Sequence, residues 1–267
     1  PWVTSAQGAM VKVEVPVTAT NFDANCTLSA SVSGSGFSIV GWGANGNSVT
    51  AGEDLTTSLI LEYSPTVSNS EATITFNSTY GGSLTPVYTA GTVHGRSLPG
   101  LFVIAIKNGG TWYALPADMS GSGTYAGVAV DVDDIDNPTK VMAGPATALY
   151  RLMGVHSDRY GNYGTRVRFV SEYNSKCLWS NQADGGTGIN NGAMASSANS
   201  DNYEWTLVTT DGITYAINTN VAKKIEEGRE LRYFAGESRF GMYTSGNSSL
   251  RLLPVDCWTR ATVTNVS

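Results

Sequence analysis

A strand pattern that occurs three times between residues 102 and 255 constrains the fold of this chain most strongly. Each occurrence has an apolar strand, a polar turn, a second strand with an aromatic residue, a loop and an exit strand. The opening stretches are residues 102–115, 167–179 and 213–221, and the exit strands are residues 148–152, 203–208 and 250–253. Strand units that recur roughly every 50 residues cannot each bury an apolar face alone. The pattern therefore predicts three units that close around one shared core.

The composition favours an all-β chain. Charged residues make up 14% of the 267 residues, and β-branched and aromatic residues occur in short runs between turn residues. The formal net charge is −6, and an acidic surface repels a phosphate backbone, so no nucleic-acid partner is expected. The sequence has no apolar run of the roughly 18 residues that a transmembrane helix needs, so none is expected.

The three cysteines, Cys26, Cys177 and Cys257, are far apart in the sequence. An odd and sparse count is not typical of a disulfide framework, and none of the three has a neighbour at metal-ligand spacing. The preferred interpretation is three buried thiols, with a single disulfide as the alternative. No metal and no cofactor is expected.

Residues 1–95 are predicted to form a β-sandwich. Valine occupies every second position from Val11 to Val17, which indicates a half-buried strand. Pro16 lacks a backbone donor, so this strand is expected at a sheet edge or at a bulge. Further short strands at residues 27–32, 37–40, 58–63, 71–76 and 84–90 are separated by turn residues.

Four motifs in this part resemble one module family. They are Leu-Ser-Ala-Ser-Val-Ser-Gly-Ser-Gly-Phe-Ser-Ile at 28–39, Val-Thr-Ala-Gly at 49–52, Leu-Ile-Leu-Glu-Tyr-Ser-Pro-Thr at 59–66 and Ser-Glu-Ala-Thr-Ile-Thr-Phe-Asn-Ser at 70–78. Their order resembles the immunoglobulin-like (BACON/ASH-like) modules of secreted and surface proteins of Bacteroidetes-type bacteria. The resemblance covers about residues 17–93 and implies a spacer. In that family a further strand precedes the one at Val11, and here it is expected to be trimmed.

Residues 96–258 are predicted to form the second domain, after a short turn-rich hinge at residues 92–100 and before a C-terminal tail at residues 259–267. Three strand-rich units of this size resemble the β-trefoil, a six-stranded barrel capped by three hairpins. Trp205 in Tyr203-Glu-Trp-Thr-Leu resembles the QxW strand of ricin-B-type trefoils, although Tyr203 stands in place of Gln and the other exit strands lack Trp. The fold class is therefore predicted as all-β, an immunoglobulin-like β-sandwich followed by a β-trefoil-like barrel.

Aromatic residues beside polar loops suggest a shallow glycan site. A sugar ring stacks its apolar face on an aromatic ring, and its hydroxyls need amide or carboxylate partners. The resemblance to ricin-B-type sites points to Asp118 and Asp184 as early acidic residues. The predicted ligand-binding residues are Trp112, Tyr113, Asp118, Trp179, Asn181, Asp184, Tyr233 and Arg239. The alternative is that the rings cap the barrel core, although the adjacent Trp112 and Tyr113 must face opposite sides.

Other polar clusters are interpreted as structural. The acidic stretch Asp131–Asp136 is predicted to be a solvated loop, with a Ca²⁺ site as the alternative. The segment 154–164 is expected to be an exposed loop, and residues 220–228 a turn between strands. His94 and His156 lie in unrelated loops, no Gly-x-Ser-x-Gly motif occurs, and no spacing marks a pair of catalytic carboxylates. The chain is therefore not expected to be an enzyme.

The predicted function is non-catalytic glycan binding by a secreted protein or by a lipoprotein anchored at the outer-membrane surface. One alternative is an adhesive or structural surface protein that binds another protein, as part of a larger surface assembly. Another is an accessory region of a larger secreted enzyme. The opening Pro1-Trp2-Val3-Thr4 is expected to follow a processed or excised segment.

Overall fold

In the computed structural model of the chain, the structure describes residues 2–6, 11–64, 69–98, 100–154, 166–181, 185–192 and 200–257. The strands before residue 99 are β1 Trp2–Ala6, β2 Val11–Thr20, β3 Cys26–Ser33, β4 Phe37–Trp42, β5 Ser48–Val49, β6 Leu55–Tyr63, β7 Asn69–Ser78, β8 Val87–Ala90 and β9 Val93–Leu98. In the described residues they form a five-stranded sheet in the order β1-β9-β7-β3-β5 and a four-stranded sheet in the order β4-β6-β2-β8.

The alternating valines of β2 lie on the buried face of the four-stranded sheet, as predicted. Val13, Val15 and Val17 are at most 4% exposed and share a core with Leu61 of β6. The core also includes Ala72 of β7 and Val93 of β9, which belong to the five-stranded sheet. The two sheets therefore bury their apolar faces together.

Pro16 of β2 lies where one side of this strand is unpaired, as its missing N–H requires. β2 pairs with β6 on one side along its length, but its pairing with β8 begins only at Val17. The Pro16 carbonyl accepts a bond from the Gly91 N–H at 3.1 Å just beyond this ladder.

Strands β1 and β9 occupy two stretches that were expected to lack strands. β1 pairs in parallel with β9, and β9 pairs with β7, so the predicted hinge at residues 92–100 contains a strand that continues past residue 95. A Cβ at Gly95 would overlap the rings of Tyr63 and Phe37. Glycine therefore lets β9 pack closely on these rings, which its turn-like composition did not indicate.

The second half of the chain is also built of strands. Their bounds are β10 Phe102–Asn108, β11 Thr111–Ala114, β12 Tyr125–Ala126, β13 Val128–Val130, β14 Val141–Ala143, β15 Tyr150–Gly154, β16 Arg166–Ser171, β17 Cys177–Ser180, β18 Ile189–Gly192, β19 Trp205–Val208, β20 Thr214–Thr219, β21 Glu230–Phe234, β22 Arg239–Tyr243 and β23 Leu250–Cys257. The helix α1 spans Ala222–Glu226, and short 3-10 turns span Ala146–Ala148 and Ser200–Asn202.

Six of the described strands pair in a closed ring, in the order β10-β15-β16-β19-β20-β23 and back to β10. At each contact the two paired residues are buried in one core. These pairs are Phe102↔Tyr150, Leu152↔Phe169, Val167↔Trp205, Leu207↔Ile217, Tyr215↔Leu250 and Ile104↔Leu252. The ring is thus a barrel filled by side chains.

Each third of the barrel repeats the same connections. In unit one β10 pairs with β11, in unit two β16 pairs with β17, and in unit three β20 pairs with β21. The second strand of each unit then pairs with a hairpin partner, as β11 with β13, β17 with β18, and β21 with β22. The predicted threefold arrangement of one six-stranded barrel and three hairpins is confirmed, and it defines a β-trefoil-like fold.

Unit one has an extra layer outside the barrel. Both faces of β10 are buried, because Val103 and Ala105 belong to a second apolar cluster that also contains Trp112, Val141 and Leu149. β14 pairs in parallel with β23 and covers this side. Residues 128–149 of unit one supply much of this layer. The loop predicted at residues 154–164 lies outside the described residues from residue 155 onward.

The helix α1 replaces the turn predicted at residues 220–228. The chain leaves the helix at Gly228, which has a φ of +67°, a conformation that favours glycine. In the described part of the chain no helix is long and apolar enough to cross a membrane. Cys26 and Cys177 are free and buried, as the preferred interpretation expects, and the Cys257 side chain lies outside the described residues.

Candidate functional site

The hairpin β17–β18 presents an aromatic ring between amide side chains. Trp179 is half-buried, and its cross-strand partner is Asn190. Paired residues of antiparallel strands share one face of the sheet, and residues two apart along a strand do so as well. Asn181 follows Trp179 on that face, where its N–H donates to the Gly188 carbonyl at 3.1 Å and extends the ladder. The hairpin therefore places a tryptophan and two asparagines on one face, where the Asn190 Oδ1 accepts a bond from the Asn191 N–H at 2.8 Å.

The opposite face of the same hairpin is fixed in the core. Leu178 is fully buried, and its carbonyl accepts a bond from the Trp205 indole N–H at 3.1 Å. Asn191 is 2% exposed, and its amide donates to the Ala117 carbonyl at 2.6 Å. Because this face is held by the barrel, Trp179 lies on the outer face with a rigid backbone behind it.

A segment of unit one, residues 120–127, connects this hairpin to that of unit three. Asn181 donates to the Ser122 hydroxyl at 3.3 Å, and Gly123 forms a bridge with Ile189. At its other end, β12 pairs with β22. Four of the predicted site residues lie against this segment, namely Asn181, Tyr113, Tyr233 and Arg239.

Tyr113, Tyr233 and Arg239 pack at the end of this segment toward unit three. The rings of Tyr113 and Tyr233 stack at 5.7 Å between centroids. The exposed Arg239 donates to the Thr124 carbonyl at 2.7 Å. Tyr233 is only 1% exposed, so its ring offers no face to a ligand.

Trp112 belongs to the core of unit one. It is 4% exposed, its indole N–H donates to the Ile135 carbonyl at 2.8 Å, and the Arg251 guanidinium lies 5.6 Å from its ring centre. Trp112 and Tyr113 face opposite sides of β11, as predicted. Trp112 packs in the outer apolar cluster of unit one, and Tyr113 packs against Tyr233 and Gly127. Trp112 and Tyr233 are thus core-capping rings, which corrects the prediction that they form sugar platforms.

The two predicted acidic residues have different outcomes. Asp118 is exposed two residues before the connecting segment. Burial, together with the negative charge of Asp118, raises the pKa of Tyr125 above its ordinary value. Asp184 lies outside the described residues. Sequence patterns did not indicate Asn190 or Ser122, because the register of β18 and the path of a long loop have no local signal.

The acidic loop of unit one binds its own backbone. The Asp133 carboxylate accepts bonds from the Thr139 hydroxyl and N–H and from the Lys140 N–H, which lower its pKa to about 2. Asp136 pairs with Lys107 at 2.6 Å. In the residues that the structure describes, no group of three His, Cys, Asp or Glu side chains is placed to hold a metal ion.

Replacing Gly127 with alanine tests the packing of the connecting segment. A Cβ there would lie 2.9 Å from the Tyr113 Cβ and 3.2–3.3 Å from the rings of Tyr233 and Phe240. We expect Gly127→Ala to lower the free energy of unfolding by about 1–3 kcal/mol in a urea titration. Gly110→Ala, whose added Cβ meets no atom within 4 Å, is the control and should change it by less than about 0.5 kcal/mol. Equal effects of the two substitutions would contradict this packing.

The strand pairing defines a β-trefoil-like domain, and its second hairpin carries the half-buried Trp179 on its outer face. No protein-family model and no curated protein matches the chain.

Solved structures with similarity to the chain include trefoil proteins. The designed threefold-symmetric protein ThreeFoil is 17% identical over 58% of this chain and 98% of its own, with a TM-score of 0.38. The BEL β-trefoil is 15% identical over 58% of this chain and 93% of its own, with a TM-score of 0.35. The Haemophilus ducreyi cytolethal distending toxin is 12% identical over 61% of this chain and 87% of its own, with a TM-score of 0.36. Because these values are low, the fold class rests on the strand pairing of the chain itself.

Proposed function

We propose that the trefoil-like domain is a non-catalytic glycan-binding module and that its site is the Trp179 face of the hairpin β17–β18. The observation that supports this is the alignment of the Trp179 ring with Asn181 and Asn190 on one outer face. An aromatic ring beside planar amides matches a sugar, which has an apolar ring face and a rim of hydroxyls.

The side chains around Trp179 favour a neutral sugar. Asn181, Asn190 and the exposed Ser122 are uncharged hydrogen-bonding groups. Amides and hydroxyls bind sugar hydroxyls but do not exchange protons near neutral pH, so the proposed role is recognition and not hydrolysis. The glycan is therefore proposed to be a neutral hexose or N-acetylhexosamine.

The two N-terminal sheets are proposed to act as an immunoglobulin-like spacer for this module. Support comes from the motif order at residues 28–78 and from the shared core of the two sheets. A spacer joined to a glycan-binding module suits a secreted or surface-anchored protein, which is the proposed location.

Binding to immobilised galactose, glucose, mannose, N-acetylglucosamine and N-acetylgalactosamine, alone and as disaccharides, tests the proposal. We expect the protein to bind at least one, and Trp179→Ala to weaken that binding by about tenfold to a hundredfold, as for the loss of a buried aromatic anchor. Tyr173→Ala removes a 58% exposed ring outside the site and is the matched control, with unchanged binding. No binding to any of these sugars, or equal binding by Trp179→Ala, would refute the proposal.

A further inference from the structure

Three consecutive residues in the connection between β17 and β18 are held by unit three. The Gly185 N–H donates to the Glu227 carboxylate at 3.0 Å. The Gly186 carbonyl accepts a bond from the Lys224 ammonium at 2.6 Å, and the Thr187 carbonyl accepts one from the Met242 N–H at 2.9 Å. Residues 185–187, which lead into β18 of the Trp179 hairpin, are thus fixed by side chains and backbone from another unit.

Lys224 is the unusual member of this group because its side chain is 0% exposed. Burying an ammonium group is costly unless hydrogen bonds and an opposite charge compensate for the lost water. An apolar side chain would fill the same space at lower cost. The ammonium group lies 3.9 Å from the Glu227 carboxylate and contributes a directed bond to the Gly186 carbonyl, which fixes the position of that residue.

The short helix α1 orients Lys224 and Glu227 toward the loop. The Lys224 N–H donates to the Val221 carbonyl, and Val221 is itself buried. The neighbouring Lys223 side chain is 45% exposed. Glu227 is further held by Arg229 at 2.6 Å, and its bond from Gly185 lowers its pKa below the ordinary value.

We infer that Lys224 and Glu227 form a clamp that pre-positions the β17–β18 hairpin for its ligand, so that unit three sets the affinity of a site located on unit two. Because Asn181 N–H bonds to the Gly188 carbonyl, fixing residues 185–187 also fixes the strand end that carries Asn181. A site that is already ordered loses less entropy when it binds, which makes the clamp a determinant of affinity. This inference rests on the proposed glycan binding.

Lys224→Met tests the clamp, because methionine fills the buried space but cannot donate to Gly186. If residues 185–187 then keep their binding-competent position about a tenth of the time, the affinity for the best-binding immobilised sugar falls about tenfold. Lys223→Met, on the same helix and largely outside the clamp, is the matched control with unchanged affinity. Glu227→Ala removes the acceptor of the Gly185 N–H. The Glu227 side chain is 20% exposed, against 0% for Lys224, so this is the second variant in case Lys224→Met does not fold.

Amide hydrogen exchange of the sugar-free protein separates the clamp from the proposed function. In Lys224→Met and Glu227→Ala we expect faster exchange at Gly185 and Met242, with unchanged exchange at Phe169 in the barrel. Faster exchange supports the clamp even when no sugar binds, and in that case the proposed function fails while the clamp does not. Unchanged exchange in both variants, or faster exchange with undiminished sugar affinity, would overturn the inference.

Discussion

Replacing Trp205 with alanine is expected to lower the free energy of unfolding by about 3–5 kcal/mol, as is typical for a large aromatic residue in a core. Trp205 is fully buried and pairs with Val167 of the neighbouring strand β16. Its indole N–H also donates to the Leu178 carbonyl of the hairpin β17–β18. The substitution removes a large apolar volume and leaves this carbonyl without its donor.

Trp205→Phe separates the two contributions, because it keeps much of the apolar volume and removes the indole donor. We expect it to cost about 1–3 kcal/mol, the range for a buried polar group left unsatisfied. Urea unfolding of both variants, followed by far-UV circular dichroism, gives the comparison. A cost below about 1 kcal/mol for Trp205→Ala would contradict a barrel core that includes unit two.

Replacing Glu204 with glutamine is expected to cost about 3 kcal/mol, because it removes a buried carboxylate that both Arg166 and Arg168 contact, while Arg166 keeps its contact with Asp201 at 3.5 Å. The Glu204 side chain is 2% exposed and lies 3.3 Å from Arg166 and 2.8 Å from Arg168. Both arginines keep partial access to solvent, at 23% and 19%, which places the cost at the lower end of the usual range.

The control for Glu204→Gln is Glu172→Gln at the more exposed pair with Arg151, where the N···O distance is 2.9 Å. Surface ion pairs contribute about 0–1 kcal/mol, so the control should change the free energy of unfolding by no more than that. Urea unfolding at constant ionic strength gives both values. If Glu204→Gln costs no more than Glu172→Gln, the buried carboxylate is not holding β16 to the start of β19.

The barrel could be predicted from the sequence because its strand pattern is local and recurs. Val167, Phe169 and Ser171 all face one side of β16, and Tyr215, Ile217 and Thr219 do the same on β20. The three occurrences of an apolar strand, a turn and a second strand indicated the threefold arrangement without knowledge of any contact.

Features that depend on distant partners could not be predicted in this way. In the strand β9, Gly95 leaves room for the rings of Tyr63 and Phe37, which belong to distant parts of the chain. The short helix α1 carries a lysine whose partner is Gly186 in another unit. In both places, tertiary contacts determine the local structure, and the short sequence window contains no sign of them.

The candidate site was predicted only in part for the same reason. An aromatic residue beside amides identified Trp179 and Asn181, but the same signal selected Trp112, which the extra layer of unit one buries. Asn190 joins the site through the register of β18 with β17. Register depends on the whole hairpin, so the sequence alone does not show which residue faces Trp179.

The most direct test of the central claim, that the Trp179 face binds the glycan, is an NMR titration of protein labelled with ¹⁵N at its six tryptophans. Trp179→Phe removes one indole signal and thereby assigns it to Trp179. The titrant is the sugar that binds best among the immobilised sugars. We expect the Trp179 signal to shift in a saturable way while those of the buried Trp112 and Trp205 stay in place. A saturable shift at another tryptophan with the Trp179 signal unchanged would contradict it.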